Sequence, residues 1–289
     1  MATNPNTRHT FSRHVAPFAP VALALLMQSG SQQGATPSIT PAAETQEAGF
    51  SQPCSNPHFP PNSGPTSIDG TTCTLAGSGG AETWQNEAKN NFCAVGPVKP
   101  ITIPELVNLQ AKVQQEGSIP FGNPRNHPLT TKSGPATDRK PLQVLGEGSE
   151  VVLQGFVLIA RQEGGESVNC GKNVPNAPEN HDIHISIVED PGQDECSGVV
   201  VEMIPHHRPK SWTPQNVNTV AAAKLPVRVT GQLMFDSSHS PCQAGTSISG
   251  DPKRSSLWEV HPVYEFDVCP LGNCSSGTGW VSLEKFANP

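Results

Sequence analysis

Aromatic residues are scarce in this sequence: among 289 residues there are 10 Phe, 4 Trp and 1 Tyr. That leaves little material for the stacking surface on which single-stranded nucleic acid is read. Positive charge is also short, with Lys+Arg 18 against Asp+Glu 25 and a formal charge of -7, which disfavours a dedicated nucleic-acid binder. Hydrophobic residues make up only 35%, and the apolar run from Ala16 to Met27 is too short to cross a bilayer as a helix. Together with 30 Pro and 26 Gly, this excludes a helical bundle and an integral membrane protein. No two cysteines are spaced Cys-x-x-Cys, so a zinc ribbon or a thioredoxin-like motif has no basis. Neither a Gly-rich phosphate loop nor a Gly-x-Ser-x-Gly nucleophile elbow occurs.

What is present points first to a compartment. Arg8 and Arg13 precede the run Ala16 to Met27 with no acidic residue ahead of it, and small and polar residues follow as far as Ala35. Residues 1–35 therefore read as a secretory signal peptide. The alternative is an N-terminus that is merely apolar, since Pro17 and Pro20 interrupt the run. The cysteines agree with export: Cys54, Cys73, Cys93, Cys170, Cys196, Cys242, Cys269 and Cys274 stand singly among Gly, Asn and Pro. An even number so placed suits disulfides in an oxidising compartment, hence a secreted or periplasmic protein with no transmembrane segment in its mature chain.

Residues 36–80 are rich in Pro, Ser and Gly without an apolar period, and are expected to be a disordered leader. Residues 81–140 read as a wrapping segment with a helix at about 103–116. Thr102 caps that helix, Glu105 completes a capping box, and Leu106, Leu109 and Val113 share a face. From 141 to 269 the pattern becomes five strands: 150–161, 181–188, 197–204, 226–236 and 257–268. A short helix is expected between the third and fourth, with Thr213 as cap, Pro214 opening it and Trp212 against Val217. Residues 270–289 form a cystine-containing tail. The fold class is thus mainly β, a small antiparallel barrel of the OB-like kind with a loop-rich, cystine-containing N-terminal region; another barrel or sandwich of similar strand count is the alternative. Trp258, Tyr264, Phe266 and Phe235 have inward parity and are expected to fill the barrel.

The stretches His181-Asp-Ile-His-Ile-Ser-Ile, Pro226-Val-Arg-Val-Thr-Gly-Gln-Leu-Met-Phe-Asp-Ser-Ser-His and Trp258-Glu-Val-His-Pro-Val resemble a group of secreted bacterial proteins with an OB-like C-terminal domain. The resemblance covers the second half of the chain. It implies a fold and no activity.

Six of the ten histidines fall between His181 and His261, and this clustering is the sharpest chemical signal. His181 and His184 would meet on a helix but point to opposite faces of a strand. Asp182 with His184, and Glu259 with His261, are two apart, which on a strand puts acid and imidazole side by side. Asp236 ends the fourth strand and His239 follows it, so Asp236, His239, Glu259 and His261 are expected to converge, with the reach of His184 left open. Such a set would hold zinc or manganese, or serve as an oriented acid–base pair; otherwise it is scaffold. His206 and His207, between Pro205 and Pro209, read as loop residues. The long connections 162–180 and 237–256 each carry a cysteine, and a bridge between Cys170 and Cys242 would fix the mouth of a groove.

Two functions follow. The first is an exported, non-enzymatic OB-like binding module for a small molecule, carbohydrate or envelope protein. The alternative is a metal-dependent, phosphoesterase-like hydrolase using Asp182, His184, Asp236, His239, Glu259 and His261. Nucleic acid is disfavoured again locally, because Pro141 to Cys269 holds eight Lys+Arg and sixteen Asp+Glu.

Overall fold

A computed structural model describes residues 67–68, 71–72, 88–116, 140–164, 180–205, 208–236, 239–242, 252–274 and 277–288. The expected signal peptide, most of the leader, the end of the wrapping segment, Cys54, Cys73, Cys170, His206 and His207 lie outside the described residues. The described residues all belong to the unit Gln46–Pro289; the unit Met1–Thr45 contains none of them.

Two short strands, β1 (Ser67–Ile68) and β2 (Thr71–Thr72), pair antiparallel. Then come β3 (Val95–Ile101) and α1 (Ile103–Glu116). The capping box forms as the sequence requires: Thr102 N–H donates to Glu105 Oε2 at 2.8 Å, and Glu105 N–H donates to Thr102 Oγ1 at 3.3 Å. Ile103, Leu106 and Val113 are buried on the face this cap aims at the barrel. A short helix, α2 (Lys140–Val144), leads into β4 (Ser149–Gln162).

The main architecture is a closed five-stranded barrel. Its strands are β4, β5 (Ile183–Val188), β6 (Val199–Met203), β7 (Pro226–Phe235) and β8 (Trp258–Val268), with helix α3 (Pro214–Ala222) after β6. The hydrogen-bonded order is β4-β5-β6-β8-β7, and β7 returns to β4 to close the ring. All these pairings are antiparallel except β6 with β8, which run parallel with Val201 opposite Val260. The alternation Ile183, Ile185, Ile187 fills the interior together with Val199, Val201, Val227, Val229 and Val260. Phe235 and Trp258 meet edge to face at 5.4 Å inside it. Thr213 caps α3, Pro214 stands in its first turn, and Trp212, Val217 and Val220 join the same core.

Tyr264 corrects the expectation from parity. Along the β7–β8 pair Thr230 faces Glu265, Gly231 faces Val263 and Leu233 faces Val260, so β8 carries extra residues around position 262 and at 264. Val263 thereby turns into the core, and Tyr264 turns out to pack with Phe92, Ala94 and Ile204. Gly231 is needed at this bulge because a Cβ there would run into the Pro262 carbonyl.

Beyond the barrel, β9 (Val281–Ser282) pairs with the end of β8, and α4 (Leu283–Ala287) buries Leu283. The expected tail is therefore a structured closure, locked by a disulfide between Cys269 and Cys274. Cys196 pairs with Cys242, which overturns the proposed Cys170–Cys242 bridge and the groove mouth it would have braced. Cys93 is disulfide-bonded as well. These bridges fit an oxidising, extracytoplasmic environment. Among the described residues no helix is long and apolar enough to cross a membrane.

Candidate functional site

One side of an antiparallel sheet commonly faces water, with its polar side chains solvated. Instead, Asp182, His184, Glu202, Asp236, Glu259 and His261 are all buried, at 0–1% exposure. The segment Ala88–Ala94 lies over them as a strap. Gln232 on β7 donates through Nε2 to the Ala88 carbonyl at 2.9 Å and to the His261 carbonyl at 2.7 Å, and accepts from Asn91 Nδ2. Tyr264 Oη donates to the Asn91 carbonyl at 2.6 Å and accepts from Ala94 N–H at 3.2 Å. Phe92 stacks near the Tyr264 ring, with centroids 5.9 Å apart.

Beneath the strap the charged groups form one network. Lys89 Nζ reaches Asp236 Oδ2 at 2.8 Å, and His239 Nε2 stands 3.6 Å from the same oxygen. His261 Nδ1 lies 2.9 Å from Glu202 Oε2 and 3.0 Å from Glu259 Oε1. Arg254 Nη1 holds the other Glu259 oxygen at 2.8 Å. His184 sits between Glu202, 3.2 Å from Nε2, and Glu163, 3.3 Å from Nδ1, and its ring meets that of His239 edge-on at 6.3 Å. His239 and Glu163 are the half-buried members, at 23% and 22% side-chain exposure, and form the wetter edge.

The electrostatics follow from these contacts. Burial opposes ionisation of Glu202, but His184, His261 and Lys89 outweigh it and hold the carboxyl well below its ordinary range. Burial likewise opposes Asp236, and Lys89 and His239 hold it ionised far into acid. Glu259 goes the other way: burial and the Glu202 charge push it up to about 7. His261 resists the penalty of burial because Glu202 and Glu259 bind its cationic form, raising it to about 9.

The structure thus brings together every candidate picked from the sequence, His184 included. Glu259 and His261 are side by side as their spacing requires, whereas His184 is shared by Glu202 and Glu163. Two overlapping trios have donor atoms within 4.8 Å of one another: Asp182, Glu202 and His261, and Glu202, Asp236 and His239. Sequence reasoning missed Glu202, which both trios share, and its counter-charges Lys89 and Arg254. Glu202 did leave a signal, being an isolated acid in the apolar run Val199–Met203. Lys89 left none, since it comes from the segment before the first barrel strand.

No known protein family matches this chain, and no curated protein does. Among solved structures it is similar to the Entamoeba histolytica asparaginyl-tRNA synthetase in complex with asparaginyl-adenylate. The identity is 14%, over 45% of this chain and 22% of that one, with a TM-score of 0.23. The chain spans about a fifth of the synthetase (22%), and the likeness is too slight to carry any function across.

Proposed function

We propose that this chain is an exported, non-enzymatic binding module built on an OB-type barrel. The fold name is supported by the strand order β4-β5-β6-β8-β7 closing on β4, with its one parallel pair, which is the winding of a five-stranded OB barrel. Export is supported by the disulfides together with the basic, then apolar, N-terminal sequence.

One observation carries the binding reading over the hydrolase. The imidazoles and carboxylates that would do chemistry are, half-buried His239 apart, buried and ion-paired under the strap, while a recess opens elsewhere. A hydrolytic metal centre keeps a coordination position open to substrate; among the described residues, the network held by Lys89 and Arg254 is open only at the His239–Glu163 edge. The recess, about 390 Å³, lies between β3, α1 and the β4–β7 edge of the barrel. Leu109, Val151 and Leu233 supply apolar lining, and Lys99 and Lys112 supply positive charge that exceeds the one acid there, Glu105, whose carboxylate is engaged by Thr102. That volume and lining suit a small amphipathic molecule bearing an acidic group.

The test is a thermal-shift and calorimetric screen of small carboxylates and acidic oligosaccharides against the full chain. Saturable binding that is lost in Leu109→Arg, without turnover, supports the reading. Hydrolysis of a phosphoester panel that disappears in His261→Ala overturns it.

A further inference from the structure

We infer that the strap Ala88–Ala94 is a hinged lid over the His–carboxylate network, latched by the disulfide of Cys93 and released when a dithiol reduces that bridge. The device does not depend on what the recess beside α1 binds.

The strap is attached to the outside of the barrel and takes no part in its core. Its apolar side chains fall in two small clusters: Phe92 and Ala94 with Ile204 and Tyr264, and Ala88 with Met234. Neither belongs to the cluster that fills the barrel. Among the described residues, the polar ties of the strap run to side chains on or beside β7 and β8. Lys89 Nζ reaches Asp236 at 2.8 Å, the Ala88 carbonyl accepts from Gln232 at 2.9 Å, and the Asn91 carbonyl and Ala94 N–H meet the Tyr264 hydroxyl at 2.6 Å and 3.2 Å. No strand ladder joins Ala88–Ala94 to the described barrel. Lifting the strap therefore breaks side-chain contacts and leaves the sheet hydrogen bonds intact.

A pivot lies where the strap enters β3. The β3–β4 register breaks between Val95 and Lys99, and Gly96 stands at a φ of 92°, in the left-handed region that favours glycine. Beyond the break, Lys99, Pro100 and Ile101 pair with Val151, Val152 and Leu153. Rotation about Gly96 raises the strap and leaves that pairing in place, and with it the β3 side of the recess.

Such a lid needs a latch. Burial opposes the ionisation of Glu202, Asp236 and Glu259, so water entering under the strap relieves that cost. Cys93 is half-buried in the strap, its N–H donates to Asn91 Oδ1 at 2.9 Å, and its sulfur is disulfide-bonded. Cys196–Cys242 and Cys269–Cys274 account for four of the cysteines, so Cys93 is bridged to Cys54, Cys73 or Cys170. In each case the bridge fastens the strap to chain outside the five barrel strands, and a cross-link of that kind limits how far the strap can move. Its release is a thiol–disulfide exchange: a thiolate of the dithiol attacks a bridge sulfur, and the second thiol closes the mixed disulfide into a ring. The dithiol gives up two electrons and two protons, which Cys93 and its partner take up as two thiols.

The experiment uses the full-length chain, purified unreduced from an oxidising compartment, with the partner of Cys93 identified by peptide mapping. Cys93 and that partner are replaced together by Ser. Amide exchange is followed at Asn91 and Ala94 and, for comparison, in Ile183–Val188, while deuterium exchange at the imidazole carbon of His261 reports whether water reaches the network. The expected result is exchange faster by about tenfold or more at Asn91, Ala94 and His261, with Ile183–Val188 close to its wild-type rate. Replacing Cys269 and Cys274 by Ser, a bridge on the β9 side, leaves the strap rates relative to Ile183–Val188 unchanged. Should the Cys93 pair variant fail to fold, the oxidised wild type is treated with dithiothreitol and its released thiols are alkylated. Faster strap exchange in the molecules alkylated at Cys93 than in untreated ones supports the latch. A free Cys93 thiol in the purified protein, strap exchange unchanged by loss of the bridge, or equal acceleration of the strap and Ile183–Val188 each overturns it.

Discussion

Lys89 and Asp236 form a buried ion pair at 2.8 Å that ties the strap to the residue that follows β7. Their side chains are 4% and 0% exposed, so neither charge has water to fall back on. Removing one partner of a buried pair costs up to about 3–5 kcal/mol when the other charge is left uncompensated, and less here where His239 still stands 3.6 Å from Asp236. Lys89→Met and Asp236→Asn should each lower the stability read from the urea midpoint, by an amount up to that figure, and the double variant should recover part of the loss. Single variants with wild-type midpoints would mean that the pair contributes nothing to stability.

Five barrel strands were legible because each is a short run rich in Val, Ile and Leu bounded by turn residues, with clean alternation in Ile183–Ile187; the capping box of α1 was legible for an equally local reason. Strand β3 was not, because Gly96, Pro97 and Pro100 contradict strand propensity; it is tolerated where it pairs with only β4, at the end of the sheet. For the site, spacing put Glu259 beside His261, but a period of two says only that residues share a face. It cannot say that Ala88–Ala94 covers that face, nor that a bulge beside Gly231 sends Tyr264 to meet it.

The two described disulfides should differ in weight. Cys196–Cys242 joins residues 46 apart and Cys269–Cys274 residues 5 apart. By the entropy of the loop each closes in the unfolded chain, these are worth about 4 and about 2 kcal/mol. Replacing Cys196 and Cys242 together by Ser should therefore shift the denaturation midpoint more than replacing Cys269 and Cys274. The reverse order, measured in the same urea series, would show that native-state packing around the short loop outweighs chain entropy.

Stability should fall on the alkaline side. His261 is raised to about 9 in the folded chain by Glu202 and Glu259 against burial, from an unfolded value of about 6.5. Its contribution is complete below about pH 6.5 and is lost as pH rises through about 9. Glu259, raised to about 7 by burial and by Glu202, acts in the same direction from a lower starting point. Asp236 and Glu202, both held low, contribute above their unfolded values and lose that contribution only in strong acid. Melting curves between pH 5 and 10 should show Tm falling above neutrality, with a flatter alkaline limb in His261→Gln. A Tm that holds or rises through pH 9 in the wild type would contradict the assignment.

Tyr264 tests whether the strap opens apart from the barrel. Its hydroxyl donates to the Asn91 carbonyl and accepts from Ala94 N–H, while its ring lies outside the main core. Tyr264→Phe keeps the ring and removes both of these hydrogen bonds, each of which contributes about 1 kcal/mol or somewhat more. Because that loss falls on the strap, amide exchange at Asn91–Ala94 should accelerate while exchange in Ile183–Val188, inside the closed sheet, keeps closer to its wild-type rate. Equal acceleration in both segments would show that strap and barrel unfold as one unit, and the cover over the His–carboxylate network would then be as permanent as the barrel itself.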